Sequence, residues 1–256
     1  MKVVILCGGH GTRLGDLTSL EPKPMVRIGK NPILIHIMEM YSAYGFDDFI
    51  LLTGYKSQKI TQFFLNIAQE SNDISINLLT GKLTQKDDAR KPWQVRIINT
   101  GLYTNTAGRL KKIQHLFKKH ETFFCTYGDG LANLNILDLL SFHKKNDAAA
   151  TMTAVRPHSR FGALTLKENK VLNFSEKPKN QMDWINGGFF IFNTNIFNFF
   201  EDNEEALETG PLVRLAEVGQ LNAYFHYDFW QCMDTARDFY FLSKLANSDN
   251  PPWKME

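Results

Sequence analysis

"KVVILCGGHGTRLGDLTSLEPKPM" runs from Lys2 to Met25. Its first residues, Val3 to Cys7, are uniformly apolar and rich in β-branched side chains, and they stop at a glycine pair. A run of that kind reads as a strand buried on both faces of a parallel sheet. The glycines that follow let backbone N–H groups approach a phosphate closely, and Arg13 and Lys23 supply positive charge. Pro22 and Pro24 bracket Lys23. Proline on each side restricts the backbone and fixes where the ammonium points, which a lysine serving only solubility does not need.

Spacing separates the phosphate loops this stretch could be. G-x-x-x-x-G-K-[ST] is absent, which excludes a P-loop. The dinucleotide fingerprint is half met by Gly9 and Gly11, but Leu14 stands at its third glycine, and "DFILLTG" carries no acid at its carboxyl end to hold a ribose. A nucleotidyltransferase loop, with glycine backbone and arginine on a triphosphate, is left beside the plain alternative of a tight strand-to-helix turn.

The rest of the chain continues the alternation. "NPILIHIMEMYSAYG" predicts a helix with Asn31 as N-cap, Pro32 at the first helical position and Gly45 as the stop. "DFILLTG", "TFFCTYGDG" and "AAATMTAV" read as buried strands, and "GRLKKIQHLFKKH" and "NILDLLSFHKKN" as helices. After Pro157 the pattern shifts to short strands ("GALTL", "VLNF", "GGFFIF") among turns, with helical segments near 211–218 and 235–246. The segment 71–91 is polar enough for a mobile loop or hairpin. The expectation is an α/β fold with an open, mostly parallel, Rossmann-like sheet flanked by helices and a smaller β-rich portion. It forms one domain over 1–256, with a first half at about 1–155 and a substrate-binding half at about 156–256 attached to the same sheet.

Composition sets the outer bounds. With 256 residues and 43% hydrophobic content the chain can bury a substantial core. Its formal charge of +2 is too balanced to point to nucleic acid, so any anion site is local. Cys7, Cys125 and Cys232 are odd in number and show no C-x-x-C spacing, so they read as small buried apolar residues in a reducing cytosol rather than as disulfides or zinc ligands. "MKVVILCGG" is too short an apolar run for a secretory signal, and nothing is long enough to span a bilayer.

"GGHGTRL" followed by "EPKPM" resembles the G-G-x-G-T-R-L and P-K-P-M signature of the sugar-1-phosphate nucleotidyltransferases. Together with "PWQVRIINTG", "TYGDGLANL", "RFGAL", "FSEKP", "INGGFFIFN" and "FWQCMDT", the chain is similar from Met1 to Trp253 to the bacterial glucose-1-phosphate cytidylyltransferases within that family. The resemblance implies the nucleotide-diphospho-sugar transferase fold and transfer of a cytidylyl group from CTP to glucose 1-phosphate, giving CDP-glucose and pyrophosphate. It also implies a cytoplasmic homo-oligomer, hexameric in the family, that serves deoxysugar and lipopolysaccharide O-antigen synthesis. Other sugar phosphates, other nucleotides (dTTP, UTP, GTP) and a non-catalytic nucleotide-sugar sensor remain alternatives.

Residue roles follow from the same resemblance. Arg13 would grip the leaving pyrophosphate, Lys23 the α-phosphate, and Asp129 and Asp234 a magnesium ion. Read without it, Asp129 fits an Asp-Gly turn and Asp234 a helix N-cap or first-turn acid. Leu6, Cys7, Gly8, Gly9, His10, Gly11, Thr12 and Gly128 would border the nucleotide, His10 through its backbone. Thr104 and Arg109 would contact the base, Arg109 at cytosine's acceptor edge and otherwise in the first turn of a helix, where its charge opposes the dipole. Tyr127, Gly162, Glu176, Lys177, Asn186 and Gly187 would receive the sugar phosphate. Three departures from the family pattern stand out: Ala107 for a glycine, Leu102-Tyr103 for a more polar pair, and Gly210 where a glutamate often precedes "PLxxLA".

Overall fold

Among the described residues seven strands form the central sheet of the computed structural model: β1 (Lys2–Cys7), β2 (Asp48–Thr53), β3 (Gln94–Asn99), β4 (Thr122–Tyr127), β5 (Ala150–Val155), β6 (Ile185–Asn193) and β7 (Leu221–His226). The structure describes residues 1–69, 74–85, 91–157, 163–167, 170–175, 183–202 and 204–254. The strand order is β7-β5-β6-β4-β1-β2-β3. β1 lies parallel to β2 and β4, β2 to β3, and β5 to β7, while β6 runs antiparallel between β4 and β5. The sheet is therefore open and mostly parallel, as expected, and β6 and β7 carry it into the later part of the chain.

Alternation along β1 explains its unbroken apolar run. Val3, Ile5 and Cys7 enter one core with helix Ile33–Ser42 and Trp253, while Val4 and Leu6 enter the other with Leu110, Phe123 and Phe192. A strand covered on both faces has no side left for polar residues. The loop after β1 therefore opens at the carboxyl ends of three parallel strands, the crevice where open α/β sheets bind ligands.

Several local expectations change. The helix starts at Ile33, and Pro32 rather than Asn31 is its N-cap, in extended conformation. Asn31 and Pro32 instead pair with Ile28 and Arg27, because Gly29, at φ 64°, closes a tight two-residue turn. Gly45, at φ 78°, lies just beyond the end of that helix. The helix expected over 108–120 is Thr106–Lys112 followed by a 3-10 turn at Gln114–Leu116. The polar segment contains a hairpin, Ile74–Asn77 with Lys82–Gln85, and "GALTL" pairs antiparallel with the strand holding "VLNF". β3 and β7, the two edges of the sheet, are strands that the sequence reading did not assign.

Candidate active site

The loop after β1 is shaped by glycine. Gly11 sits at φ 65°, and a Cβ there would stand 3.0 Å from Lys23 Cβ and 3.1 Å from Thr18 Cγ2. Thr18 donates its hydroxyl to the Gly11 carbonyl at 3.0 Å, holding the loop against the segment that carries Lys23. Pro22, extended, leads into the 3-10 turn Lys23–Met25, and Pro24 packs on Gly128, where a Cβ would lie 3.0 Å from its Cγ. The bracket thus sets Lys23 directly beside the end of β4.

Lys23 Nζ lies 2.5 Å from Asp129 Oδ2 and 2.5 Å from Asp234 Oδ1. Arg13 Nη1 reaches the other Asp234 oxygen at 3.0 Å, with most of its side chain in solvent. The two carboxylates meet because Gly130–Ala132 pairs antiparallel with Trp230–Cys232, and Met233 N donates to Asp129 O at 2.8 Å. Asp234 is not the cap of the following helix. Thr235 caps it in a capping box with Asp238, which leaves the Asp234 carboxylate turned to Lys23 and Arg13. Asp129 does sit in an Asp-Gly turn, and its side chain faces the same ammonium.

The electrostatics follow from this geometry. Burial alone would lower the Lys23 pKa, but Asp129 and Asp234 outweigh it and hold the ammonium above its ordinary value. Burial likewise opposes the charged form of Asp234, yet its bonds to Lys23 and the nearby Arg13 keep its pKa below the usual carboxylate range. The cysteines are not thiolates. Burial pushes Cys7 and Cys125 far up, and Cys232, also raised by burial and then by Asp234, to about 12.

A cavity of about 510 Å³ opens over this cluster. It is bordered by Leu6 through Arg13, Lys23, Thr104, Arg109, Tyr127, Gly128, Asp129 and Asp234. His10, read from sequence as a backbone contributor, stands in an aromatic group at the mouth, 5.1 Å from the Tyr55 ring and 6.5 Å from Tyr103. Arg109 lies in the middle of its short helix rather than in the first turn, is 4% exposed, and serves backbone. Nη1 donates to Thr53 O (2.9 Å), Thr100 Oγ1 (2.5 Å) and Gly101 O (2.9 Å), and Nη2 to Gly8 O (3.0 Å). Its guanidinium therefore ties the glycine loop to the ends of β2 and β3.

Asn186 and Gly187 are not among the described residues that border the cavity. Asn186 Nδ2 approaches the Tyr127 hydroxyl at 3.4 Å, and Gly187 O accepts from Trp230 Nε1 at 2.8 Å. Gly162, Glu176 and Lys177 lie outside the described residues. Pro24 of the bracket also borders the cavity, as do Asn105, Thr106 and Glu208, which were not singled out from sequence. Glu208 belongs to an acidic run, "EDNEEALE", whose pattern reads as solvated surface.

Asp129 and Asp234 carry oxygen donors of the kind a hard cation takes, and both are engaged with the Lys23 ammonium. Among the described residues no group of three or more His, Cys, Asp or Glu side chains is arranged to hold a metal by itself. The donor set suits a divalent ion that keeps several waters and takes phosphate oxygens to complete its shell.

The description of the nucleotidyl transferase family matches residues 2–245. The chain belongs to that family. This nucleotidyltransferase is 42% identical over 254 residues to the glucose-1-phosphate cytidylyltransferase of Salmonella typhimurium, covering 99% of both chains, and equally so to that of Salmonella typhi. Its fold matches the inositol-1-phosphate CTP transferase of T. maritima with a TM-score of 0.66 at 14% identity, over 97% of this chain and 96% of the other. The nucleotidyltransferase thus has the nucleotide-sugar transferase fold. Enzymes of the family work with a divalent cation. Among the described residues no helix is long and apolar enough to cross a membrane.

Proposed function

We propose that this nucleotidyltransferase transfers the cytidylyl group of CTP to α-D-glucose 1-phosphate, releasing pyrophosphate and forming CDP-glucose. The observation that carries the reading is the clasp of Lys23 between Asp129 and Asp234 at the foot of the glycine loop. Identity of 42% across the whole length of named glucose-1-phosphate cytidylyltransferases supports the choice of base and sugar.

In this reading the triphosphate lies over Gly8 to Arg13, whose backbone N–H groups and guanidinium match its oxygens. Lys23, held by its proline bracket, sits at the α-phosphate, where negative charge grows as the sugar-phosphate oxygen attacks and the pyrophosphate oxygen departs. Asp129 and Asp234 would hold magnesium, which screens phosphate charge and polarises the α-phosphoryl group when bound. Arg13, long and exposed, follows the leaving pyrophosphate. Thr104 and the loop tip border the base, with Arg109 bracing that wall.

The sugar lies on the β4 and β6 side, near Tyr127 and Asn186, with Gly162, Gly187, Glu176 and Lys177 assigned to the same half by family resemblance. That assignment keeps the nucleotide-binding half at about 1–155 and the sugar-phosphate half at about 156–256. The enzyme works in the cytosol as a homo-oligomer, hexameric by the same resemblance, and feeds deoxysugar synthesis for surface polysaccharide.

The test incubates purified protein and magnesium with glucose 1-phosphate and each nucleoside triphosphate in turn, and measures pyrophosphate. CTP should give the fastest release. Best turnover with dTTP, UTP or GTP would overturn the base, and faster turnover of another hexose 1-phosphate would overturn the sugar.

A further inference from the structure

Among the described residues three carboxylates border the cavity, and two of them, Asp129 and Asp234, are matched by Lys23 and Arg13. Glu208 is different. Among the described residues it has no cation and is held only by hydroxyls: Tyr127 donates to Oε1, and Thr106 Oγ1 donates to Oε2 at 2.9 Å. Its placement is built rather than accidental. Leu207 beside it is fully buried and donates its N–H to Thr106 Oγ1 at 2.7 Å. Glu205 pairs with Arg214 at 2.7 Å and fills the space a side chain at Gly210 would need, since a Cβ there would lie 2.2 Å from Glu205 Oε2.

An uncompensated carboxylate repels phosphate, so it marks the part of the cavity that receives the neutral portion of a substrate. Each carboxylate oxygen offers two acceptor positions, and the protein's hydroxyls take one apiece. The remaining acceptors suit hydroxyl donors. Tyr127 points to which substrate brings them, because its hydroxyl is shared with Asn186 of β6, and β4 and β6 lie on the side of β1 opposite β2 and β3.

Resting on the reading above, we propose that Glu208, oriented by Tyr127 and Thr106, binds ring hydroxyls of the hexose 1-phosphate and is a determinant of which sugar is accepted. The acidic run thereby contributes a ligand for the acceptor.

Steady-state kinetics of the purified full chain test this with Glu208→Gln, which keeps size, and Tyr127→Phe, which keeps the carboxylate but frees it to turn. Glu208→Gln should raise KM for glucose 1-phosphate by about 10- to 100-fold, the range for losing a hydrogen bond to a charged group, and leave KM for CTP within about twofold. Tyr127→Phe should act in the same direction and more weakly. Among 2-, 3-, 4- and 6-deoxyglucose 1-phosphates, one analogue should be poor for the wild type and no poorer for Glu208→Gln. A rise in KM for CTP, a changed preference between CTP and UTP, or unchanged constants in both variants would overturn the proposal. Wild-type turnover reports separately on the parent reading, and the comparison can be made with whichever hexose 1-phosphate the wild type accepts.

Discussion

Replacing Arg109 with methionine separates a structural brace from a reader of the base. The guanidinium is 4% exposed and serves three backbone oxygens and one hydroxyl. Hydrogen bonds from a charged donor contribute about 1.5–3 kcal/mol each, but they do not add. Thr53 O would still accept from Thr100 N (2.9 Å) and Thr100 Oγ1 (2.8 Å), and Gly8 O from Tyr55 N (3.2 Å). Gly101 O loses the guanidinium bond as well, and burying the guanidinium, which lowers its pKa, carries a desolvation cost that methionine removes. The net expectation is a loss of about 3 kcal/mol, or roughly 6–12 °C in melting temperature for a chain of this size. Because Gly8 loosens with it, KM for CTP should rise about tenfold, whereas preference for CTP over UTP should stay the same. Thermal unfolding by circular dichroism, with and without CTP, and initial rates with both nucleotides give the answer. A melting temperature unchanged within about 2 °C together with a switch in base preference would refute the brace and return Arg109 to the base edge expected from sequence.

Gly8→Ala approaches the same contact from the other side. Its Cβ would stand 2.1 Å from Arg109 Cζ, so one must move, and overpacking of about 1–3 kcal/mol should lower the melting temperature and weaken CTP binding, read by calorimetric titration. Lys23→Ala should cut turnover about 10²- to 10³-fold with a small change in CTP affinity; an equal loss in affinity would place the ammonium in ground-state binding instead. The pH dependence follows from the clasp. The depressed Asp234 pKa contributes stability that is present above the ordinary carboxylate value of about 3.9 and is lost as pH falls through the depressed one. The raised Lys23 pKa contributes stability present below about 10.4 and lost as pH rises through the raised one. Melting temperature of the wild type minus that of Lys23→Ala, measured from pH 3 to 11, should therefore show a plateau between the two limits, and a difference that peaks at either extreme would contradict the clasp.

What the sequence determined by itself is what local chemistry demands. A five-residue apolar run has to be a strand covered on both sides, the glycines after it have to turn, and prolines on either side of Lys23 have to restrict it. Those requirements lie within a few residues of one another, and the loop, β1, β2, β4, β5 and much of the helical pattern were legible for that reason. The edge strands β3 and β7 were not, because an edge mixes half-buried with exposed positions, as "QVRIIN" and "LNAYFH" do. Asn31 gave a false cap because the turn at Gly29, which uses it for pairing, outweighs its capping preference. Asp129 and Asp234 carry no common spacing, and only the short ladder between 130–132 and 230–232 brings them to one ammonium. Tertiary structure alone selected Glu208 from an acidic run and turned Arg109 toward backbone, because a side chain's partners are set by which segments pack against it rather than by its neighbours along the chain.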